Sequence, residues 1–312
     1  MKTWTADQIP DQSGRSFLVT GANSGLGFIT ARELARRNAC VIMTARDEGK
    51  GLQALEQIRA AVPGAKIELR LLDLADLDQV RNFAGALIAE KTSIDVLVNN
   101  AGIMMPPRSL TRQGFELQFG VNHLAHFVLT GLLLGQLKAG HAPRVVTVSS
   151  SLHKRGAIHF NDLDGAKAYS RIAFYAQSKF ANVLFALELD RRLRRAGLPI
   201  RSVLAHPGYA ATNLQLNGTT GLLRLLMRFG NRFFAQSAEK GALNLLYATA
   251  APDVHGGQFV GPDGRHEKSG DPTIVQPVAS AKDQALAERL WRLSENLTGI
   301  RMDFSSQSEV VT

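Results

Sequence analysis

Cysteine is nearly absent from this sequence: among 312 residues there is one, Cys40. A lone cysteine closes no internal disulfide and cannot by itself hold a zinc ion. Long apolar runs are missing too. The longest candidate, Phe127 to Leu137, lies between His126 and Lys138 and falls short of the roughly 18 residues of a membrane span. The opening stretch MKTWTADQIPDQSGR contains Asp7 and Asp11 and lacks the apolar segment of a secretory signal, so a cytoplasmic location is expected. Acidic residues are outnumbered, 27 against 36 basic ones, for a net charge of +9. Such an excess invites a nucleic-acid reading, but the basic residues are scattered. Their densest cluster, Arg191, Arg192, Arg194 and Arg195, falls late in a predicted helix, where cations suit the negative end of the macrodipole. A solvated helix end is expected there, with an anionic cofactor or an anionic membrane surface as alternatives. What is present, 45% hydrophobic and 20% charged residues, excludes collagen-like, disordered and disulfide-scaffold classes.

Short apolar runs alternate with longer helical patterns. Strands are predicted at Ser16–Thr20, Ala39–Ala45, Lys66–Leu72, Asp95–Asn99, Arg144–Ser149 and Ile200–Ala205, with a short last one at Gln258–Val260. Helices are predicted at Gly25–Asn38, Glu48–Ala61, Leu77–Lys91, Gly114–Leu137, Phe174–Ala196, Ala238–Thr249 and Lys282–Leu297. Continuously apolar strands between helices imply a parallel sheet covered on both faces, an α/β doubly wound architecture. No linker interrupts the alternation, so residues 14–300 read as one domain, with 1–13 as an N-terminal extension and 301–312 as a frayed tail. Two long interruptions, 151–172 and 207–237, follow strand C-termini, where such sheets bind ligands.

Between the first strand and the first helix stands Thr20-Gly21-Ala22-Asn23-Ser24-Gly25-Leu26-Gly27. Glycines at 21, 25 and 27 let the backbone turn tightly and approach an anion, and the helix N-terminus offers free N–H groups to a pyrophosphate. A bare structural turn is the alternative. The second strand ends in Thr44-Ala45-Arg46, without the acid that would bind an adenosine 2′-hydroxyl. Arg46 can present a guanidinium fork to a 2′-phosphate, or simply open the next helix and pair with Glu48. Asp73 and Leu74 end the third strand, and Asn99-Asn100-Ala101-Gly102 ends the fourth. On pattern alone Asp73 is a turn residue, and the two asparagines can be wholly structural.

Tyr175-Ala176-Gln177-Ser178-Lys179 places a phenol and an amine one helical turn apart on the same face. Lowering a phenol from a pKa of about 10 to neutrality needs roughly 4 kcal/mol. An ammonium about 4 Å away at an effective dielectric near 20 supplies roughly that much. With a nearby hydroxyl from Ser149-Ser150-Ser151, the set is a sufficient acid/base unit. By itself the pair is also a common surface motif, and three serines also make an ordinary turn. Asn122 stands inside a predicted helix, where asparagine is mildly unfavourable; it either holds a water that relays protons to Lys179 or caps a kink.

In this order the motifs resemble the short-chain dehydrogenase/reductase superfamily over about residues 14–265. They are T-G-x-x-x-G-x-G, N-N-A-G, the helix asparagine, the strand serine, Y-x-x-x-K, and Pro207-Gly208 followed by Thr212. The resemblance implies a single-domain Rossmann fold with a seven-stranded sheet in the order 3-2-1-4-5-6-7. It implies Tyr175 as proton donor or acceptor, Lys179 as ribose ligand and tuner, Ser150 as substrate-oxygen ligand and Asn122 as relay. Gly21, Asn23, Ser24, Gly25, Leu26, Gly27, Arg46, Asp73, Leu74, Asn99, Ala101 and Gly102 would line the cofactor. His206, Pro207, Gly208 and Thr212 would meet its nicotinamide end. Ser150 and Tyr175 are farther apart than is usual in the superfamily. With S-S-x-x-H, H-F-x-D-L and Y-x-x-S-K-x-A-N-V-L-F, at Ser149–His153, His159–Leu163 and Tyr175–Phe185, the chain resembles the retinol dehydrogenase branch. Ser150 is then the catalytic candidate and Ser149 the runner-up.

That branch implies an NADP(H)-dependent oxidoreductase acting on an apolar alcohol or carbonyl compound. It is also similar to light-dependent protochlorophyllide reductase, a C=C reductase, but the single cysteine falls within the second strand. A non-catalytic nucleotide-sensing protein on the same fold is the other alternative. Family members often pair through the helices carrying Asn122 and Tyr175, and the sequence leaves a homo-oligomer open. Residues 207–237 combine Leu222, Leu226, Phe229 and Phe233 with Arg224, Arg228 and Arg232. They read as an apolar lid, a helix packed on the body, or a peripheral lipid contact. His123 and His126 flank Asn122 without a carboxylate that would make a metal site.

Overall fold

The structure, a computed structural model, describes residues 3–208 and 237–305. Its strands are β1 (Ser16–Val19), β2 (Cys40–Ala45), β3 (Ile67–Leu71), β4 (Val96–Asn99), β5 (Arg144–Val148), β6 (Arg201–Ala205), β7 (Phe259–Pro262) and β8 (Pro272–Val275). They form one sheet in the order β3-β2-β1-β4-β5-β6-β7-β8. All pairings are parallel except the last, β7 with β8. The expected order is therefore present with an eighth strand added. β8 is short and carries Pro272, features of an edge strand that mask its pattern in the sequence.

Strand side chains alternate between two cores, which is why the strands read as unbroken apolar runs. Phe17 and Val19 of β1 pack with Ala31 and Leu34 of α1 (Gly25–Arg36) and with Leu245 and Leu246 of α8 (Ala238–Ala250). The helix α2 (Glu48–Ala61) joins that layer through Leu55 and Ile58. Leu18 and Leu97 face the opposite layer. There they meet Val80 of α3 (Leu77–Ala89), Phe127 of α5 (Ala125–Leu132), Phe185 of α7 (Arg171–Arg195) and Trp291 of α9 (Gln284–Thr298).

Three local expectations are corrected. The continuous helix predicted at 114–137 is broken into α4 (Leu117–Phe119), a π-helical segment at Gly120–Leu124, α5 and α6 (Leu134–Lys138), with Leu133 out of helical geometry. The arginine cluster at the end of α7 is not a bare solvated end. Glu188, itself buried, binds Arg191 and Arg192, and Arg191 also reaches Glu288 on α9. The Arg192 guanidinium lies 4.4 Å from the Trp291 ring centroid, so the cations stitch two helices together. Finally, the start of the C-terminal tail is packed. Met302 is buried, Phe304 lies against Trp291, and Lys138 binds the carbonyls of Asp303 and Ser305. No described helix is long and apolar enough to cross a membrane.

The strand order reverses direction between β1 and β4, which opens a crevice above their C-terminal ends. The turns after β1, β4, β5 and β6 all open toward it.

Candidate active site

The turn after β1 is shaped by close approach. Gly21 and Gly25 have φ of 64° and 58°, a region that glycine enters without steric cost. A Cβ on Gly27 would come 2.5 Å from the Gly21 carbonyl oxygen, and one on Gly21 would come 2.8 Å from the Ala101 Cβ. Helices α2, α3, α7, α8 and α9 each close their first turn with an N-cap side chain. The N-cap of α1, Ser24, makes no such bond, so the first turn of this helix, after Asn23 and Ser24 and including Leu26, has no side-chain cap. A glycine cradle beneath an uncapped helix N-terminus fits a dinucleotide pyrophosphate.

Arg46 follows β2 directly, is exposed, and among the described residues makes no ion pair, with Glu48 or any other carboxylate. Asp73 is half-buried, and its Oδ1 accepts the Ala75 N–H at 2.9 Å, an Asx turn; Leu74 beside it is buried. Asn99 is turned into the protein, where its Nδ2 donates to Thr130 Oγ1 at 3.0 Å. Asn100 ties β4 to β1 by donating through Nδ2 to the Thr20 carbonyl at 2.8 Å. These two side chains have the structural role the pattern allowed. Ala101 and Gly102 bring bare backbone to the crevice; a Cβ on Gly102 would lie 3.4 Å from Lys179 Nζ.

Tyr175 and Lys179 both lie within the buried part of α7. The Ser150 hydroxyl is in hydrogen-bonding reach of the Tyr175 phenol. Ser149 is committed elsewhere, its hydroxyl donating to the Lys179 carbonyl at 2.8 Å, whereas the Ser150 oxygen accepts the Leu152 N–H at 3.3 Å and keeps its own hydrogen to donate. The electrostatics differ from the expectation. Burial pushes the Tyr175 phenol up to about 12, with the Ser150 hydrogen bond opposing it, and burial pushes the Lys179 amine down to about 8. Desolvation penalises both charged forms. The Lys179 ammonium donates to the Val148 carbonyl at 3.2 Å and lies 5.8 Å from the phenol ring centroid.

Asn122 lies in the π-helical segment, where the Ala125 N–H reaches back five residues to the Gly120 carbonyl. Single π turns of this kind recur at functional sites. Its side chain accepts the Ile103 N–H at 2.8 Å and donates to the Ile103 carbonyl and to Ser178 Oγ. Asn122 thereby welds the Asn99–Gly102 turn to α7. Its main-chain carbonyl faces His126 Nδ1 at 3.1 Å, and His126 Nε2 faces Thr20 Oγ1 at 3.0 Å. A carbonyl only accepts, so Nδ1 carries the proton. Burial holds His126 down at about 4, so the ring is neutral and Nε2 accepts from the threonine hydroxyl. Thr20 Oγ1 in turn accepts the Asn100 and Ala101 N–H groups at 3.0 and 2.9 Å. The first residue of the glycine motif is thus wired to the asparagine of the helix break.

Pattern reading missed His126 and Thr20 as partners, and it missed an apolar patch: Met104, Met105 and Leu152 pack around Tyr175. The available signal was the apolar run Ile103-Met104-Met105 directly after Gly102. Pro207 and Gly208 follow β6, and the Gly208 N–H donates to His206 Nδ1 at 3.2 Å. Thr212 and residues 209–236 of the proposed lid lie outside the described residues.

Known proteins resemble this chain in sequence and in fold. The family described as short chain dehydrogenase matches residues 15–221. Polyprenol dehydrogenase of Mus musculus is 43% identical over 295 residues, covering 93% of this chain and 86% of that protein. Retinol dehydrogenase 12 of Homo sapiens is 42% identical over 291 residues, covering 93% and 88%. The crystal structure of an uncharacterized protein from Mycobacterium Paratuberculosis superposes with a TM-score of 0.81 at 44% identity, covering 97% of this chain and all of that one.

Proposed function

The chain belongs to the short chain dehydrogenase family of nicotinamide-dependent oxidoreductases and is retinol dehydrogenase-like, and on that premise we propose that it is an NADP(H)-dependent enzyme interconverting a lipophilic alcohol and its carbonyl compound. The observation that carries this reading is the convergence of Ser150, Tyr175 and Lys179 beside the bare backbone of Gly102. When bound, the cofactor supplies the hydride and accepts it back in the reverse direction. The Gly21–Gly27 turn and the N-terminus of α1 would hold its pyrophosphate, Lys179 its ribose, and Pro207 and Gly208 its nicotinamide end. Arg46, exposed and without an ionic partner among the described residues, is suited to a 2′-phosphate.

The protein's own contribution is the proton. A phenol held near 12 is protonated at neutral pH, so Tyr175 enters carbonyl reduction as an acid, giving its proton to the substrate oxygen as that oxygen gains negative charge. Ser150 donates to the same oxygen and orients it. The proton on Tyr175 would be replaced through the buried Lys179 amine, with Asn122 holding a water that relays protons to it. In alcohol oxidation the same path runs backward. Met104, Met105 and Leu152 around the phenol support an apolar substrate, as do relatives named for polyprenol and retinol.

The test is a panel of lipophilic carbonyl compounds, including decanal, retinal and long-chain 2-ketones, incubated with NADPH and followed by its oxidation. Reduction of at least one member is expected. NADPH binding without any reduction across the panel would favour a nucleotide-sensing role.

A further inference from the structure

Beyond β7 the chain enters a short turn, Arg265–Glu267, in which His266 and Glu267 have φ of 55° and 56°. Two successive non-glycine residues in the left-handed region are unfavourable and persist where surrounding contacts hold them. What this turn delivers is the Glu267 carboxylate, placed between two loops of the crevice. Its Oε1 accepts from Lys154 Nζ at 2.7 Å, and its Oε2 accepts from His206 Nε2 at 3.1 Å. Lys154 belongs to the turn Ser151–Arg155, which Ser150 caps. His206 opens the His206-Pro207-Gly208 loop after β6.

The contact to His206 is directional. Nδ1 of this ring accepts the Gly208 N–H, so Nε2 carries the hydrogen and gives it to Glu267. The ring is fully buried. Space for it exists because residue 261 is glycine: a Cβ there would come 2.4 Å from His206 Nε2. The serine turn has a second anchor in the same C-terminal segment. His153 Nε2 accepts the Val278 N–H at 3.4 Å, so its Nδ1 donates to the Ser150 carbonyl at 2.7 Å. His153 and His206 both pack on Phe259 of β7. Glu267 is far in sequence from both Lys154 and His206, and the catalytic roles proposed above use neither Glu267 nor Lys154.

We propose that Glu267 is a positioning residue that fixes the Ser150 turn and the His206–Gly208 loop relative to each other, so that substrate oxygen and nicotinamide meet in reacting geometry. The inference rests on reading the site as a nicotinamide-dependent one. Lys154 is the more exposed partner, with side-chain exposures of 39% for Lys154 and 0% for His206. Screening weakens an exposed ion pair, so the bond to His206 dominates.

The experiment compares Glu267→Ala, Glu267→Asp, Glu267→Gln and Lys154→Met with the unaltered chain. NADPH affinity is read by fluorescence, adenosine 2′,5′-bisphosphate affinity by calorimetry, and turnover on the fastest member of the carbonyl panel. Glu267→Ala is expected to lower kcat about tenfold through misplaced reacting groups. It is expected to weaken NADPH about fivefold, the worth of one lost hydrogen bond at one end of the molecule. The adenosine fragment, bound at the other end, should be unaffected. Glu267→Asp, one methylene shorter, provides a milder second variant with the same split. Glu267→Gln keeps an acceptor for His206 Nε2 and should recover most of the turnover, and Lys154→Met should lose less than Glu267→Ala. Turnover and NADPH affinity within about twofold of the unaltered chain in both the Ala and Asp variants would overturn the inference. Equal loss of NADPH and fragment binding would overturn it as well, because that is general collapse rather than positioning. If the unaltered chain itself binds no NADPH, the functional reading fails and this inference falls with it.

Discussion

Tyr175 and Lys179 are one turn apart, and the sequence argument expects the ammonium to pull the phenol toward neutrality. Enclosure outweighs that attraction in the folded chain, raising one group and lowering the other, because each charged form leaves water without a close counter-charge. Arg46 is the opposite case, an exposed cation to which the proposed function gives the 2′-phosphate. Arg46→Ala is expected to weaken NADPH by on the order of ten- to a hundredfold, the range of a charged hydrogen-bonding contact, and NADH far less. Dissociation constants for the two coenzymes check this, and equal losses would remove Arg46 from a 2′-phosphate site. Residues legible in the sequence were those defined by neighbours in the chain, such as Gly21, Gly25 and Gly27. His126 and Glu267 were not, because their meaning lies in partners brought together by the fold: Thr20 for His126, and Lys154 and His206 for Glu267.

At the scale of elements, periodicity revealed each parallel strand and the helices between them, since burial on both faces writes a continuous signal. It did not reveal β8, whose four residues carry a proline and are buried only at Val275. Nor did it reveal the interruption at Gly120–Leu124, because a π turn inserts one residue without making the segment less apolar. The helix α7, which carries Tyr175 and Lys179, has a specific seat for the turn after Ser150. Gly156 packs so tightly there that a Cβ would come 2.5 Å from both the Ala176 carbonyl oxygen and the Phe180 Cβ. Gly156→Ala should therefore cost about 1–3 kcal/mol of stability through overpacking, measured as a lower urea midpoint, together with reduced turnover as the Ser150 turn lifts from Tyr175. An unchanged midpoint would mean that the turn yields without disturbing the helix.

The whole molecule is a sheet between two helical layers with ionisable groups sealed inside it. His123 is held at about 3, and His126 and His153 at about 4, each chiefly by burial. An unfolded chain protonates these histidines at about 6.5, so it binds more protons than the folded chain below that pH. The histidines' contribution to stability is fully present above about pH 6.5 and falls as pH drops toward 4, by up to about 1.4 kcal/mol per pH unit for each histidine. Glu116 and Asp190, pushed up by burial, oppose this from fewer sites. Urea midpoints should decline between about pH 7 and about pH 5; a flat profile would contradict neutral burial of the three rings. The central claim, that one buried phenol supplies the proton for a nicotinamide-dependent reaction, is tested most directly by Tyr175→Phe. NADPH affinity and carbonyl reduction are measured on the same preparation. Binding should be retained while turnover falls by about a thousandfold or more, the scale of general acid catalysis; turnover near that of the unaltered chain would contradict the account.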